Sequence, residues 1–402
     1  MINEVYITGF GVVSALGIEE AEHLQSLKQN THGISPLKIL DYSTHTGNVL
    51  VGEVKKTNDE LKKIASLKHV NTNSRGVLFA AIAVRNALKN ANLSKAEISK
   101  SALISGTSVG GMDLFEQGYL GVINKNISNP KYYFQEHDCG NINYKIATEF
   151  GFKSYMSTIS TACSSSANAI ILGARMIKAG LVDRAIVGGS DALSKFTING
   201  FNTLGILDEL HTKPFNENRR GLNLGEGAAY LVLESSKVVN EKKIYGQVAG
   251  YGNANDSFHQ TASSEQGVGS VKAMQLALQS ANIEPSQIDY INTHGTGTPN
   301  NDLSESNALI EIFGKSNMPF FNSLKPFTGH TLAACGSIEA VYSLFSLNEN
   351  VVFKSLNFQE PIQQTRLEPV RSLQNTVDLK YVLSNSFGFG GNCSSLIFKK
   401  VQ

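Results

Sequence analysis

Short apolar runs alternate along this chain with stretches of helical period. The segment Ala87-Leu88-Lys89-Asn90-Ala91-Asn92-Leu93 closes an amphipathic helix, and a polar turn and the apolar run Ala102-Leu103-Ile104 follow. The same succession returns 190 residues later (277 against 87) as Ala277-Leu278-Gln279-Ser280-Ala281-Asn282-Ile283, a polar turn, and Tyr290-Ile291. Ile98 and Ile288 keep that offset. Each run empties into a loop of small residues, 106–111 in one case and 294–298 in the other. The openings agree as well: Val5-Tyr6-Ile7-Thr8-Gly9-Phe10-Gly11 stands against Gly246-Gln247-Val248-Ala249-Gly250-Tyr251-Gly252. One helix can match by chance, but agreement in order and loop position points to duplication. The period is too long for a solenoid, and the alternation predicts two equivalent α/β domains. Their boundary is expected in the charged stretch 235–243, after the apolar run 230–233, giving halves 1–240 and 241–402.

Paired α/β domains place ligand sites at strand ends and between domains, which singles out four loops. In the first, Cys163 lies between the strand-like 157–160 and a helical pattern set by Ala167, Ile170, Ile171, Ala174 and Ile177. A helix N-terminus stabilises anions and so favours thiolate, the nucleophilic form. Locally, a structural cysteine and a nucleophile fit equally well. The second loop, Asn292-Thr293-His294-Gly295-Thr296-Gly297-Thr298-Pro299, offers a histidine that is either a capping group or functional, and two hydroxyls that can hold a polar substrate arm. The third, Asn322-Ser323-Leu324-Lys325-Pro326-Phe327-Thr328-Gly329-His330, sets a lysine and a histidine before a helical pattern running from Leu332 to Leu347. Lys325 is either a surface charge or a group held out of water. The fourth, Ser384-Asn385-Ser386-Phe387-Gly388-Phe389-Gly390-Gly391-Asn392, is either an ordinary glycine turn or a loop that aims a backbone N–H into a site.

Composition narrows the function. In 402 residues, 41% hydrophobic and 17% charged, there is apolar material for large cores. Thirty-five basic against 34 acidic side chains leave a net charge of +1, without a global field to hold nucleic acid or an anionic membrane. The opening 1–7 reads as a strand rather than a secretory signal, and no apolar run is long enough to span a bilayer, so a cytoplasmic protein is expected. Cys139, Cys163, Cys335 and Cys393 are scattered, which argues against a zinc site or a disulfide framework, and all but Cys163 are expected to be small hydrophobes. Neither a Walker A pattern nor a dinucleotide-binding glycine loop is present.

Together, TACSSS, THGTGTP, LKPFTGH and NSFGFGG resemble, in order and spacing, the elongating β-ketoacyl-acyl-carrier-protein synthases of the thiolase superfamily, and the stretch from Pro214-Phe215-Asn216 to Gly225-Glu226-Gly227-Ala228 is similar too. The resemblance spans nearly the whole chain. It implies duplicated thiolase-like α/β domains packed as a five-layer αβαβα sandwich. It implies that Cys163 takes an acyl chain as a thioester, and that His294 and His330 assist decarboxylation of a malonyl thioester and stabilise the enolate that attacks it. Lys325 matches the motif lysine beside the second histidine, and Glu305 the acidic residue that pairs with it. The N–H groups of Cys163 and Phe389 match an oxyanion hole, with Phe389 also a gate. Val109 and Phe201 match acyl-pocket positions; Thr296 and Thr298 match residues that hold phosphopantetheine. No metal or tightly bound cofactor is implied, phosphopantetheine arriving on the acyl carrier protein. The implied partners are that carrier, acyl and malonyl thioesters, and a second subunit in a homodimer or in a heterodimer with a related chain.

The chain departs from the family's pattern in three places. Asn392-Cys393 stands where the family commonly has Thr-Asn, the stretch 201–214 is short, and basic carrier contacts are thin. Lys62, Lys63, Lys68 and Lys213 are candidates for such contacts, or simply a solvated charged face. These departures suit a specialised enzyme, one building a polyene for example. Two rivals share the fold. A chain-length-factor-type partner lacks the active cysteine, and a thiolase has a second cysteine in place of one histidine; Cys163, His294 and His330 stand against both.

Overall fold

The computed structural model describes residues 3–40, 49–72, 74–127 and 130–401. Met1 and Ile2 of the predicted opening strand lie outside these residues, and the strand begins at Val5. In chain order the strands are β1 (Val5–Val13), β2 (Ser35–Pro36), β3 (Leu50–Gly52), β4 (Ala102–Gly106), β5 (Met156–Ile159), β6 (Arg184–Asp191), β7 (Leu224–Gly225), β8 (Gly227–Ser235), β9 (Gly246–Asn255), β10 (Tyr290–Asn292), β11 (Phe320–Asn322), β12 (Tyr381–Phe387) and β13 (Asn392–Lys399).

Ten of them form one mixed sheet in the order β11-β10-β12-β13-β9-β1-β8-β6-β4-β5. Read outward from the β1/β9 junction, both directions give the same pattern. β1 pairs antiparallel with β8, β8 antiparallel with β6, β6 parallel with β4 and β4 parallel with β5. On the other side β9, β13, β12, β10 and β11 repeat those senses. The junction itself is short, pairing Tyr6 with Gln247 and Ile7 with Gly246.

Glycines set how closely the outer helices approach. A Cβ on Gly9 or Gly11 would lie 2.6 Å from the Ala87 carbonyl oxygen or 2.1 Å from that of Ala83. On Gly250 or Gly252 it would lie 2.4 Å from that of Ala277 or 2.0 Å from that of Ala273. The helices Arg75–Asn90 and Val268–Ala281 therefore press on β1 and β9 through equivalent alanines. Two further helices, Ser165–Lys178 and Cys335–Glu349, pack against each other and fill the middle layer. The latter is buried continuously from Cys335 to Leu347, as a helix without a charged face must be. One apolar core surrounds this pair, and a separate core lies under each outer helix. The result is the expected αβαβα layering. No helix among the described residues is long and apolar enough to cross a membrane.

The strand ends face the functional loops. Cys163 follows β5, His294 follows β10, Lys325 follows β11 and Phe389 follows β12. The small β2-β3-β7 sheet adds a clamp: His330 N–H donates to the Asn223 carbonyl at 2.7 Å, and Gly225 N–H to the His330 carbonyl at 2.9 Å.

Gly252→Ala is expected to destabilise the fold by about 1–3 kcal/mol through overpacking against the helix. Gly200→Ala, where an added Cβ meets nothing within 4 Å, serves as the control and is expected to be neutral or slightly stabilising. Urea unfolding of both variants measures the difference.

Candidate active site

The nucleophile turn is held in a conformation that the chain does not adopt freely. Ala162 has φ +51°, a left-handed backbone that costs a non-glycine residue about 1 kcal/mol. Ser165 bridges the turn: its Oγ donates to the Ala162 carbonyl at 2.5 Å and accepts from Thr161 N–H at 2.9 Å. Cys163 follows, buried, one residue before the N-cap of the helix Ser165–Lys178. The Lys325 charge and, after it, the backbone N–H groups of Phe389 and of Cys163 itself favour the ionised form of the sulfur. Burial outweighs them all and pushes the thiol up to about 11. The local N–H groups thus favour thiolate, as expected of a helix start, but desolvation of the anion dominates.

His294 and His330 stand over the thiol. Their ring centroids are 5.5 Å apart at 86°, and the sulfur and one nitrogen of each ring lie within 4.8 Å of one another. Both imidazoles titrate well below the usual histidine range, chiefly through burial and next through the charge of Lys325. Both are thus neutral near pH 7. Their hydrogen bonds assign the tautomer. His330 Nδ1 accepts from Leu332 N–H at 3.1 Å, and His294 Nδ1 faces Lys325 Nζ at 3.3 Å. Each ring is left with an Nε2–H free to donate.

Lys325 is 2% exposed. Its Nζ also donates to Glu339 Oε1 at 2.6 Å and to the His294 carbonyl at 2.5 Å. Burial opposes the ammonium, and Glu339 overcomes it, holding Lys325 above the ordinary lysine range. The expected pairing of Lys325 with Glu305 is corrected here. Glu305 Oε1 accepts from His294 N–H at 2.9 Å and Oε2 from Gly295 N–H at 2.8 Å, so Glu305 braces the histidine loop instead. Glu339 escapes a motif search because it lies in the helix Cys335–Glu349, outside any loop. The available signal is a lone carboxylate amid small and apolar residues, which needs a buried cation.

Cys163, His294 and His330 line a cavity of about 320 Å³ shared with Phe201, Thr296, Thr298 and Phe389. Thr296 and Thr298 hydrogen-bond each other through their hydroxyls at 2.9 Å. Phe389 stacks on Phe201 with centroids 5.7 Å apart and 21° between planes. It sits before Gly390 and Gly391, at φ +80° and +79°, a backbone suited to glycine. Val109 does not line this cavity; it packs in an apolar cluster with Phe201 and Leu222, which do. The unusual Asn392 has a definite role. Its Oδ1 accepts from Ser164 Oγ at 2.7 Å, Asn168 Nδ2 at 2.9 Å and Asn253 Nδ2 at 3.0 Å, tying the Phe389 loop to the nucleophile turn.

The donor atoms of Cys163, His294 and His330 are close enough to hold a metal ion. The Lys325 ammonium beside one of the imidazoles disfavours a cation there. The other three cysteines are free, and Cys335 donates its thiol hydrogen to the Cys163 carbonyl at 3.1 Å. Among the candidate carrier contacts, Lys62 faces Asp59 at 3.7 Å on an exposed helical turn.

Comparison with known proteins gives a consistent answer. The model for the N-terminal domain of β-ketoacyl synthases matches residues 3–238, and that for their C-terminal domain matches 245–359. The 3-oxoacyl-[acyl-carrier-protein] synthase 2 of Staphylococcus aureus (strain COL) is 32% identical over 415 residues, covering 99% of this chain and 98% of its own. Among solved structures, the ishigamide ketosynthase/chain length factor superposes with TM-score 0.94 at 27% identity over 100% of both chains. The ketosynthase complex AntDE:AntF, a type II polyketide synthase acyl-carrier protein with its ketosynthase bound to the hexaketide, gives TM-score 0.87 at 27% identity, again over 100% of both chains. With both family models matched and a full-length relative at that identity, the chain belongs to the β-ketoacyl synthase family.

Proposed function

We propose that this chain is an active β-ketoacyl-acyl-carrier-protein synthase, extending an acyl chain by decarboxylative condensation with a malonyl thioester. The observation that carries this reading is the convergence of one thiol and two neutral imidazole donors at the base of a single cavity. In acyl transfer, Cys163 attacks the carrier-borne thioester while its own N–H and that of Phe389 receive the developing oxyanion. The thiol proton leaves with the carrier's thiol, so the exchange needs no net base. Thr296 and Thr298 line the route for the phosphopantetheine arm that each carrier brings.

In condensation the malonyl carboxylate departs as CO₂. Charge collects on the remaining thioester oxygen, where the Nε2–H groups of His294 and His330 donate to it. The enolate carbon attacks the acyl carbonyl on Cys163. Collapse of the tetrahedral adduct forms the β-ketoacyl thioester and expels the Cys163 thiolate, which takes up a proton. The roles follow from geometry and protonation state together.

The chain is further read as two halves, 1–240 and 241–402, supported by the repeated strand order. Cytoplasmic placement is consistent with four free cysteines. A dimer is the working state. In a heterodimer with a chain-length-factor-type subunit this chain is the catalytic member, because it carries Cys163, His294 and His330 together. That same set disfavours the non-catalytic reading for the chain itself, and two histidines over one cysteine disfavour thiolase. The products fit fatty-acid or related polyene- and polyketide-type elongation.

Intact-mass measurement after incubation with a panel of acyl carrier thioesters tests acyl loading directly. Cys163→Ala is expected to abolish the acyl adduct and lower condensation by about 10⁴-fold or more. Cys163→Gln is expected to keep releasing CO₂ from malonyl carrier without condensing, since both histidines remain; a folded variant that releases none would remove the histidines from decarboxylation.

The raised thiol pKa gives a second test. Alkylation of Cys163 by iodoacetamide is expected to climb about tenfold per pH unit through pH 9.5, because the thiolate fraction is still small below about 11. A plateau reached below pH 9 would show a standing thiolate and overturn the assignment.

A third test concerns the Phe389 ring. Phe389→Ala is expected to speed alkylation by a small reagent and to weaken discrimination among acyl lengths, as a gate requires. A loss of thermal stability with both quantities unchanged would make the ring part of the core.

A further inference from the structure

The C-terminal end of β6 carries a carboxylate that the chemistry above does not use. Asp191 is fully buried, and no lysine, arginine or histidine forms an ion pair with it among the described residues. It is held by neutral donors alone. Oδ1 accepts from the Thr107 hydroxyl, from Ser108 N–H at 3.2 Å and from Val109 N–H at 3.4 Å. Oδ2 accepts from Ser108 N–H at 3.0 Å, Ser108 Oγ at 3.0 Å and Ala333 N–H at 2.9 Å. Burying an unpaired carboxylate is costly, and several fixed donors are what make it tolerable.

Those donors come from two distant pieces of chain. One is the loop 107–110 after β4, whose Val109 stands behind the cavity wall. The other is the segment after His330. Leu332 in that segment has φ +55°, a strained backbone for a leucine, and its N–H is the donor that fixes His330 Nδ1. Ala333, the next residue, is the one that Asp191 anchors. The two pieces also meet through side chains, because Val109, Leu332, Phe201 and Leu222 share one apolar cluster, and Phe201 and Leu222 line the cavity.

We propose that Asp191 is a positioning residue that fastens the wall of the acyl cavity to the backbone setting the tautomer of His330, so that one carboxylate governs both acyl-length selection and the condensation step. An acyl chain that fills the cavity presses on Phe201 and Leu222. Behind them, the backbones of Val109 and of Ala333, the residue after Leu332, are held in fixed relation by the two oxygens of Asp191. In a close-packed cluster such displacement is transmitted rather than absorbed. The proposal rests on the reading of Cys163 as the acylated residue.

The test is Asp191→Asn in the full-length protein. The amide keeps one acceptor oxygen and turns an NH₂ toward N–H donors at 108 or 333, so one attachment is lost while the volume is conserved. Thermal unfolding checks that the variant folds. Expected are a change of about tenfold in the ratio of short- to long-chain acyl loading at Cys163, and a fall of about tenfold in kcat for condensation with KM for the malonyl carrier within about twofold. A merely structural role would lower the melting temperature and leave the loading ratio alone.

The alkylation profile of Cys163 supplies an independent reading. Burial, then the Asp191 charge, hold that thiol up, while Lys325 and the N–H groups of Phe389 and Cys163 act the other way. His294, His330 and Cys335 are the remaining titratable neighbours. Loss of the Asp191 charge is expected to move the profile to lower pH.

A folded Asp191→Asn protein with loading ratio and kcat both within about twofold of wild type overturns the proposal. If that variant does not fold, Ser108→Ala removes one donor and keeps the carboxylate; an unchanged loading ratio there overturns it equally. Wild-type protein that takes no acyl group from any carrier thioester would defeat the functional reading itself, whereas normal loading in wild type with indistinguishable variants defeats the Asp191 role alone.

Discussion

An ammonium group buried beneath two histidines is the constraint on which the active site depends. Lys325 has lost nearly all contact with water, and an isolated charge so placed would be several kcal/mol uphill or would discharge. Glu339 keeps it charged from the middle-layer helix Cys335–Glu349. The retained charge has two effects. It fixes His294 by facing Nδ1 and by donating to that residue's carbonyl, and it suppresses protonation of both imidazoles. Without the pair, His294 would lose the contact that sets its tautomer, and burial alone would keep the two rings neutral. The fully buried middle helix is therefore more than filler, since it brings the counter-charge to a place that no loop reaches.

The duplicated scaffold supplies equivalent strand ends and fills them with different chemistry. The loop after β4 stands behind the acyl cavity; its counterpart after β10 carries His294. The turn after β5 carries Cys163; its counterpart after β11 carries Lys325 and leads to His330. β6 ends in Asp191, whereas β12 leads to Phe389. One half presents Cys163 and the other presents His294, Lys325 and His330. Packing two similar halves around a common pair of helices makes these ends converge without a long loop. The glycines of β1 and β9 serve the same end by bringing the outer helices close.

Much of this was legible in the sequence because duplication leaves a periodic trace and because loops after strands carry dense motifs. The offset between Ala87 and Ala277 corresponds to two helices making the same contact on two strands. Cys163, His294, Lys325 and His330 were each visible as loop residues, and the structure brings all four together. What escaped depends on the third dimension. Glu339 and Asp191 lie at the middle of a helix and the end of a strand, and their partners are remote in sequence. The net state of the thiol also escaped, because a helix N-terminus is a local feature, whereas desolvation is set by everything packed around the sulfur. Asn392 was a departure from pattern that the sequence alone could not interpret; its three donors lie on other segments of chain.

The charge arrangement suits the reaction's demands in order. A thiol pushed up to about 11 stays protonated at rest, so Cys163 contributes no charge until an acyl carrier docks. In the proposed mechanism it is neutral once acylated, and the charge that moves in condensation begins on the malonyl carboxylate. Under the proposed roles, loss of CO₂ moves it onto the thioester oxygen, toward the N–H groups of His294 and His330. Stabilisation is thus greater after decarboxylation than before, which is the condition for accelerating that step rather than merely binding its substrate. Protonated histidines would hold the carboxylate as well as the enolate and erase the difference. Burial and the Lys325 charge, by keeping both rings neutral, preserve it.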